Sequence, residues 1–255
     1  MTEYGIQMYS LRDVTSKDLK EGLRQVAHMG YKLVEFAGFF GNSAEQVKRW
    51  LEEYGLTPIG SHIGLSSLSE SEIEKTVAYH KAIGCKNLIV PAADWSTEAM
   101  LDANISDLKR ASVKLAEEGL ALGYHNHSDE YFIAPYGKVV MNEILGRTDL
   151  FLEVDTFWLY NAGIDPVSYL DENKSRISLI HLKDGITSKG DGIGFGNSQS
   201  GAIDKSIGMG EAPVREIREW AIANAVPIVI ESEGLDPTGP EEVWRCIDYL
   251  RTLEA

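Results

Sequence analysis

The chain has 255 residues, 44% of them hydrophobic, enough for one large α/β domain or two small ones with a real core. Its formal net charge of -15 repels phosphate backbones and anionic membranes, so a role on nucleic acid or at a membrane surface has little support. The two cysteines, Cys85 and Cys246, have no metal-ligand spacing and read as reduced packing residues. The first residues lack a basic stretch followed by an apolar one, and no apolar run approaches roughly 20 residues. A soluble, cytoplasmic protein is expected.

In chain order, short apolar runs alternate with longer segments of helical periodicity. The runs predict strands at Tyr4–Tyr9, Leu33–Phe36, Thr57–Ile63, Asn87–Val90, Ala121–His125, Leu150–Asp155, Ile177–Lys183 and Ile228–Glu231. Between them the pattern predicts helices at 16–29, 43–55, 69–84, 97–118, 138–146, 165–174, 213–224 and 240–253. Ser43 with Gln46 and Ser69 with Glu72 have capping-box spacing, while Gly30, Gly55, Gly84 and Gly119 stand where helices should stop. The acidic run Glu70–Glu74 suits an exposed first helical turn. Alternation at roughly 30-residue intervals predicts a closed (β/α)8 TIM barrel filling residues 1–255 as a single domain. The doubly wound sheet competes, but no Gly-x-Gly-x-x-Gly follows the first strand.

Segment 185–212 is out of proportion. It is glycine-rich and follows the seventh predicted strand, which suggests a lid or binding loop. Gly192-Ile193-Gly194-Phe195-Gly196 could suggest a phosphate cradle, but no clear helix start follows it, and the lid is the stronger reading.

In a barrel, catalytic groups belong at the carboxyl ends of strands. Collected there are Gln7, Glu35, His62, His125, His127 and Glu153, then Asp155, His181, Lys183, Glu231 and Glu233. Side chains alternate along a strand, so His125 and His127 share a face, as do Glu153 and Asp155, His181 and Lys183, and Glu231 and Glu233. Carboxylates with imidazoles suit Mn²⁺, Zn²⁺, Co²⁺ or Mg²⁺. Such an ion can polarise a sugar carbonyl while a neighbouring Glu or His moves a proton. Each residue alone has a bland reading: a strand-end histidine is often only hydrogen-bonded, and Glu153 could simply pair with Lys183. Several on successive strands weaken that reading. His28 and His80, inside helix patterns, are assigned to surface or packing. Trp50, Trp220 and Trp244 are expected to pack onto the barrel, while Trp158, in the loop after Asp155, is either an aromatic platform for a sugar ring or a packing residue.

The segments Gly5-Ile6-Gln7-Met8-Tyr9-Ser10-Leu11-Arg12, Leu122-Gly123-Tyr124-His125-Asn126-His127, Glu153-Val154-Asp155-Thr156-Phe157-Trp158, His181-Leu182-Lys183-Asp184 and Ile230-Glu231 together resemble the sugar phosphate isomerase/epimerase family of xylose-isomerase-like TIM barrels. The resemblance covers essentially the whole chain. It implies ketose epimerases, hydroxypyruvate isomerases, inosose or dehydroshikimate dehydratases and keto-glycoside enzymes as relatives, and the family name does not establish a phosphorylated substrate. It also implies a divalent metal held by a Glu on strand five, an Asp on strand six, a His on strand seven and a Glu on strand eight. Asp155, His181 and Glu231 match the last three, while Gly123 stands where the first is expected. Either His125 or Glu153 supplies the remaining ligand, or three protein ligands suffice.

The resulting expectation is a metal-dependent isomerase or epimerase acting on a keto-sugar or keto-polyol through an enediolate, with Glu231, His125, Glu153 and Lys183 in catalysis. Asp155, His181, Glu231 and His125 would hold the metal; Glu35, His62, His127 and Trp158 would hold the small-molecule carbohydrate. A dehydratase and a non-catalytic sugar-binding relative are the alternatives. Apurinic-site endonucleases share the fold but need a larger metal cluster and a basic face. A homodimer is a fair expectation by base rate.

Overall fold

The computed structural model describes residues 2–188 and 193–254. Eight parallel strands close into a barrel: β1 (Tyr4–Gln7), β2 (Leu33–Phe36), β3 (Thr57–His62), β4 (Asn87–Val90), β5 (Ala121–His125), β6 (Phe151–Asp155), β7 (Ile177–Leu182) and β10 (Ile228–Ile230), with β10 pairing back onto β1. Two further strands, β8 (Asp184–Ile186) and β9 (Ile203–Lys205), form a separate antiparallel hairpin. The expected TIM barrel is therefore the observed fold.

Helix boundaries follow local chemistry. Ser43 and Gln46 form a complete capping box at helix Ala44–Tyr54, whose Ala44, Val47 and Leu51 are buried. Gly30, Gly55 and Gly84 end their helices in the left-handed region that only glycine enters without strain. Ser69 differs from expectation. It caps a 3-10 turn, and helix Ile73–Ile83 begins only after Glu72, without a side-chain cap, so part of the acidic run precedes the helix. A short helix, Thr156–Asn161, stands where a loop was expected, because the Asp155 carboxylate caps it by accepting the Trp158 N–H at 2.8 Å. Trp220 is buried, but Trp244 is 44% exposed on helix Gly239–Thr252, contrary to its expected packing role. Cys85 and Cys246 are both buried and unpaired.

The described residues of segment 185–212 include most of the β8–β9 hairpin. The β8–β9 hairpin sits on the Asp184 carboxylate, which accepts N–H groups from Gly185, Gly208 and Gly210 at 2.9 Å and from Ala212 at 3.1 Å. Glycine is needed here: a Cβ at Gly210 would fall 2.1 Å from Asp184 Oδ1. The suggested phosphate cradle is not available as such. Gly192 lies outside the described residues, as does Gly190, while Gly194 N–H donates to Asn197 and Gly196 N–H to Asp129. A carboxylate of the chain itself holds the place an anion would need.

Candidate metal centre and its cavity

Every barrel strand except β4 brings a polar residue to the barrel mouth, in two layers. Register pairs His125 with Glu153 and Asp155 with His181. Register shifts fall between Val34 and Glu35 and between Leu152 and Glu153, and such irregularities re-aim side chains. The deeper layer contains Glu35 and Glu153, both fully buried, bridged by His62 Nε2 at 2.8 Å from Glu35 and 2.6 Å from Glu153. Gln7 donates its amide N–H to Glu35 and accepts the Tyr9 N–H, so the first strand positions the second. Gly60 leaves the room: a Cβ there would meet Glu35 Oε2 at 2.9 Å.

The upper layer gathers His125, Asp155, His181 and Glu231, whose donor atoms lie within 4.8 Å of one another and are all buried. The deeper carboxylates orient its two imidazoles: Glu153 lies 3.0 Å from His125 Nδ1, and Glu35 lies 3.1 Å from His181 Nε2, with Glu153 at 3.4 Å. His181 turns Nδ1 towards Glu231 at 3.3 Å. With Nδ1 of His125 engaged, Nε2 is left for an ion. Asp155 caps its helix through Oδ1, while Oδ2 is buried without a partner. A buried orphan oxygen beside two imidazoles and a second carboxylate is what a divalent cation would satisfy. His62, His125, Glu153 and His181 form a second, overlapping set. Glu153 therefore lies behind both imidazoles and does not reach across into the Asp155 set.

Gly123 is not at this level. It pairs with Phe151, a layer below His125, and a Cβ there would meet the Phe151 ring at 2.3 Å. At the level of the site, strand β5 presents His125.

Burial sets the charge states. It pushes Asp155 up to about 7 against the pull of Lys183. Burial also raises Glu153, aided by the neighbouring charge of Glu35. For Glu35 and Glu231 the desolvation penalty is outweighed by adjacent cations, His62 and His181 for the first, Lys183 and His181 for the second, and both lie below the usual carboxylate range. His62 is the reverse: burial disfavours its charge, yet Glu35 and Glu153 raise it to about 10. His127 falls to about 4 through burial and the nearby Lys183.

Lys183 does not pair with Glu153. Its buried ammonium binds Glu233 and lies 3.2 Å from Asp204 and 3.6 Å from Glu231, with the Trp158 ring 4.9 Å away. Trp158 is 5% exposed, beneath His127 and Lys183, so it packs under the site. A cavity of about 410 Å³ opens above the cluster. Its lining joins the polar His62, His125, His127, Glu231 and Glu233 to Tyr9, Ala37, Ile63, Pro91 and Ala92. Glu35, Glu153 and Trp158 are not on its lining. The apolar wall escaped the sequence reading because its residues carry no chemical signature. Asn126, which clamps the Asp155 backbone through its amide at 3.1 and 3.2 Å, was signalled only by lying between two site histidines.

A closed parallel barrel with a buried nitrogen and oxygen cluster at the carboxyl ends of its strands defines a TIM-barrel enzyme scaffold with a polar, mouth-facing site. Residues 23–252 match the xylose isomerase-like TIM barrel family, and the chain belongs to it. A sugar phosphate isomerase/epimerase from Parabacteroides distasonis superposes over 98% of each chain with 26% identity and a TM-score of 0.80. An inosose dehydratase from Geobacillus kaustophilus is 24% identical over 186 residues, 64% of this chain and 60% of the dehydratase. A probable 3-DHS dehydratase from Bacillus anthracis shares the fold at 14% identity, over 98% of this chain and 99% of its own, with a TM-score of 0.74. The family neighbourhood thus includes isomerases or epimerases and dehydratases. No helix of the described residues is long and apolar enough to cross a membrane.

Proposed function

We propose that the protein is a divalent-metal-dependent enzyme that moves the proton next to the carbonyl of a keto-sugar or keto-polyol, as an isomerase or epimerase. The observation that carries this is the convergence of His125, Asp155, His181 and Glu231, with Asp155 Oδ2 buried and unpartnered. These residues would hold Mn, Zn, Co or Mg, and the bound ion would supply Lewis acidity towards a carbonyl and its adjacent hydroxyl. Glu153 acts through His125, holding its Nδ1, as Glu35 holds Nε2 of His181, and both are positioning residues. His62, on the cavity lining, bridges the Glu153 carboxylate to Glu35. Trp158 shields the Lys183 charge, which balances Glu231. Glu231 borders both the cluster and the cavity, where a carboxylate can take the substrate proton and return it. Neutral His127 faces the same space as a hydroxyl partner.

Dehydration is the second reading. It is favoured by His62, which lines the cavity and is held as an imidazolium able to protonate a departing hydroxyl. The acidic surface and the cavity's size suit a small carbohydrate and offer nothing to a nucleic acid. The test is solvent-deuterium incorporation into a panel of keto-sugars and inososes by metal-loaded protein. Exchange without loss of water indicates isomerisation or epimerisation; an absorbing enone indicates dehydration. No exchange, together with tight sugar binding, would leave a non-catalytic carbohydrate-binding protein.

A further inference from the structure

The geometry points to an uncharged substrate, selected because the cavity presents the carboxylates of Glu231 and Glu233 while the nearby Lys183 ammonium is buried and already bound by carboxylates. This rests on the reading of the cavity as a keto-sugar site and narrows its substrate class. Ligands carrying phosphate or carboxylate need a cation or a set of free N–H donors to replace lost hydration. The cavity wall offers the opposite. Its carboxylates are Glu231 and Glu233, its one imidazolium, His62, is already held by Glu35 at 2.8 Å and Glu153 at 2.6 Å, and Ala37, Ile63, Pro91 and Ala92 add no side-chain donor.

Two cations stand close behind this wall, and both are committed. Lys183 is fully buried and contacts Glu233, Asp204 and Glu231. Arg12 donates to the backbone carbonyl of Glu233 at 2.6 Å and to that of Tyr9 at 3.2 Å, with its guanidinium over the Tyr9 ring at 4.5 Å. Neither borders the cavity among the described residues. A divalent ion held by Asp155 and Glu231 would have its charge matched by those two carboxylates, leaving no surplus to attract a second anion. The overall charge of -15 acts in the same sense at long range. Hydroxyl groups, by contrast, find acceptors and imidazoles on the lining, and the less hydroxylated face of a ring finds its apolar residues.

The inference separates substrate classes within one fold: it admits ketoses, inososes and neutral keto-glycosides, and rejects sugar phosphates and keto-acids. Glu233 is then a specificity residue. Removing its charge lessens the repulsion of an anion and leaves Lys183 with Asp204 and Glu231 as its only carboxylate partners among the described residues.

The test uses three ligands that differ only at carbon six: D-fructose, D-fructuronate and D-fructose 6-phosphate, titrated calorimetrically into Mn²⁺-loaded protein and into Glu233→Gln. Fructose is expected to bind roughly ten-fold or more tighter than either anion to the unaltered protein. The substitution should raise the affinity for both anions several-fold while fructose affinity holds or falls. Equal or tighter binding of either anion by the unaltered protein overturns the inference and leaves the metal-dependent keto-sugar reading standing. So does a Glu233→Gln protein with unchanged discrimination. A protein that takes up no Mn²⁺ and binds none of the three overturns both.

Discussion

Asp155 joins three roles in one side chain: it caps helix Thr156–Asn161 through Oδ1, presents Oδ2 to the cluster, and has its backbone held by Asn126. Asp155→Ala should abolish stoichiometric metal by elemental analysis while circular dichroism keeps the barrel signature. The loss of one cap costs about 1 kcal/mol, which a domain of this size tolerates. Glu153→Gln tests orientation without touching a proposed ligand. Metal affinity should fall about 10–100-fold, with the ligand set intact; unchanged affinity would remove Glu153 from the positioning role. Gly123 makes a contrasting prediction. Gly123→Ala drives a methyl into the Phe151 ring and should destabilise by about 1–3 kcal/mol in urea, with metal content unaffected. Of these residues, Asp155, His181 and Glu231 were legible because charge ending an apolar run has few structural excuses. The depth of Gly123 was not, since motif position does not show which layer a residue occupies.

The β8–β9 hairpin is held by the buried Asp184 carboxylate, which takes four backbone N–H groups, and by the ion pair of Lys183 with Asp204. Asp184→Ala strands those donors, and the hairpin should open while the barrel persists. The readout is faster amide exchange at Gly208, Gly210 and Ala212, together with protease cleavage within 186–212. Helix Ile73–Ile83 carries a pH response of its own. His80 is 3% exposed, its Nδ1 meets the Thr76 carbonyl at 2.7 Å, and its buried Nε2 has no partner. Burial therefore depresses its pKa. The unfolded chain then binds the proton more readily, so this helix loses stability as pH falls below about 6.5, the unfolded value. In His80→Gln that component is absent, and the melting-temperature gap to the unaltered protein should shift in the variant's favour between pH 8 and pH 5. A gap independent of pH would show that His80 is not held neutral.

At the scale of the molecule, barrel closure places strands β2 and β7 within one hydrogen bond: His181 Nε2 lies 3.1 Å from Glu35, 146 positions away in sequence. A metal bound by residues from β5, β6, β7 and the end of β10 then acts as a cross-brace on the whole barrel. Free metal at about 100 times its dissociation constant should add about 2.7 kcal/mol, or roughly 5–10 °C in melting temperature, which a chelator should reverse. An unaltered melting temperature with and without chelator would count against a metal centre.

The sequence by itself determined the barrel, because hydrophobic periodicity, glycine stops and strand spacing are local properties that add up to one closed architecture. It also determined that carboxylates and imidazoles meet at one end, since side-chain alternation along a strand has a period of two whatever the strand packs against. Only the tertiary structure decided which of them face the cavity and which stand behind. Glu153 and Glu35 lie beneath the cluster, Glu233 holds Lys183, and ordinary apolar residues complete the cavity lining. Those distinctions depend on register, bulges and the distance between residues far apart in the chain, and local sequence carries no record of any of them.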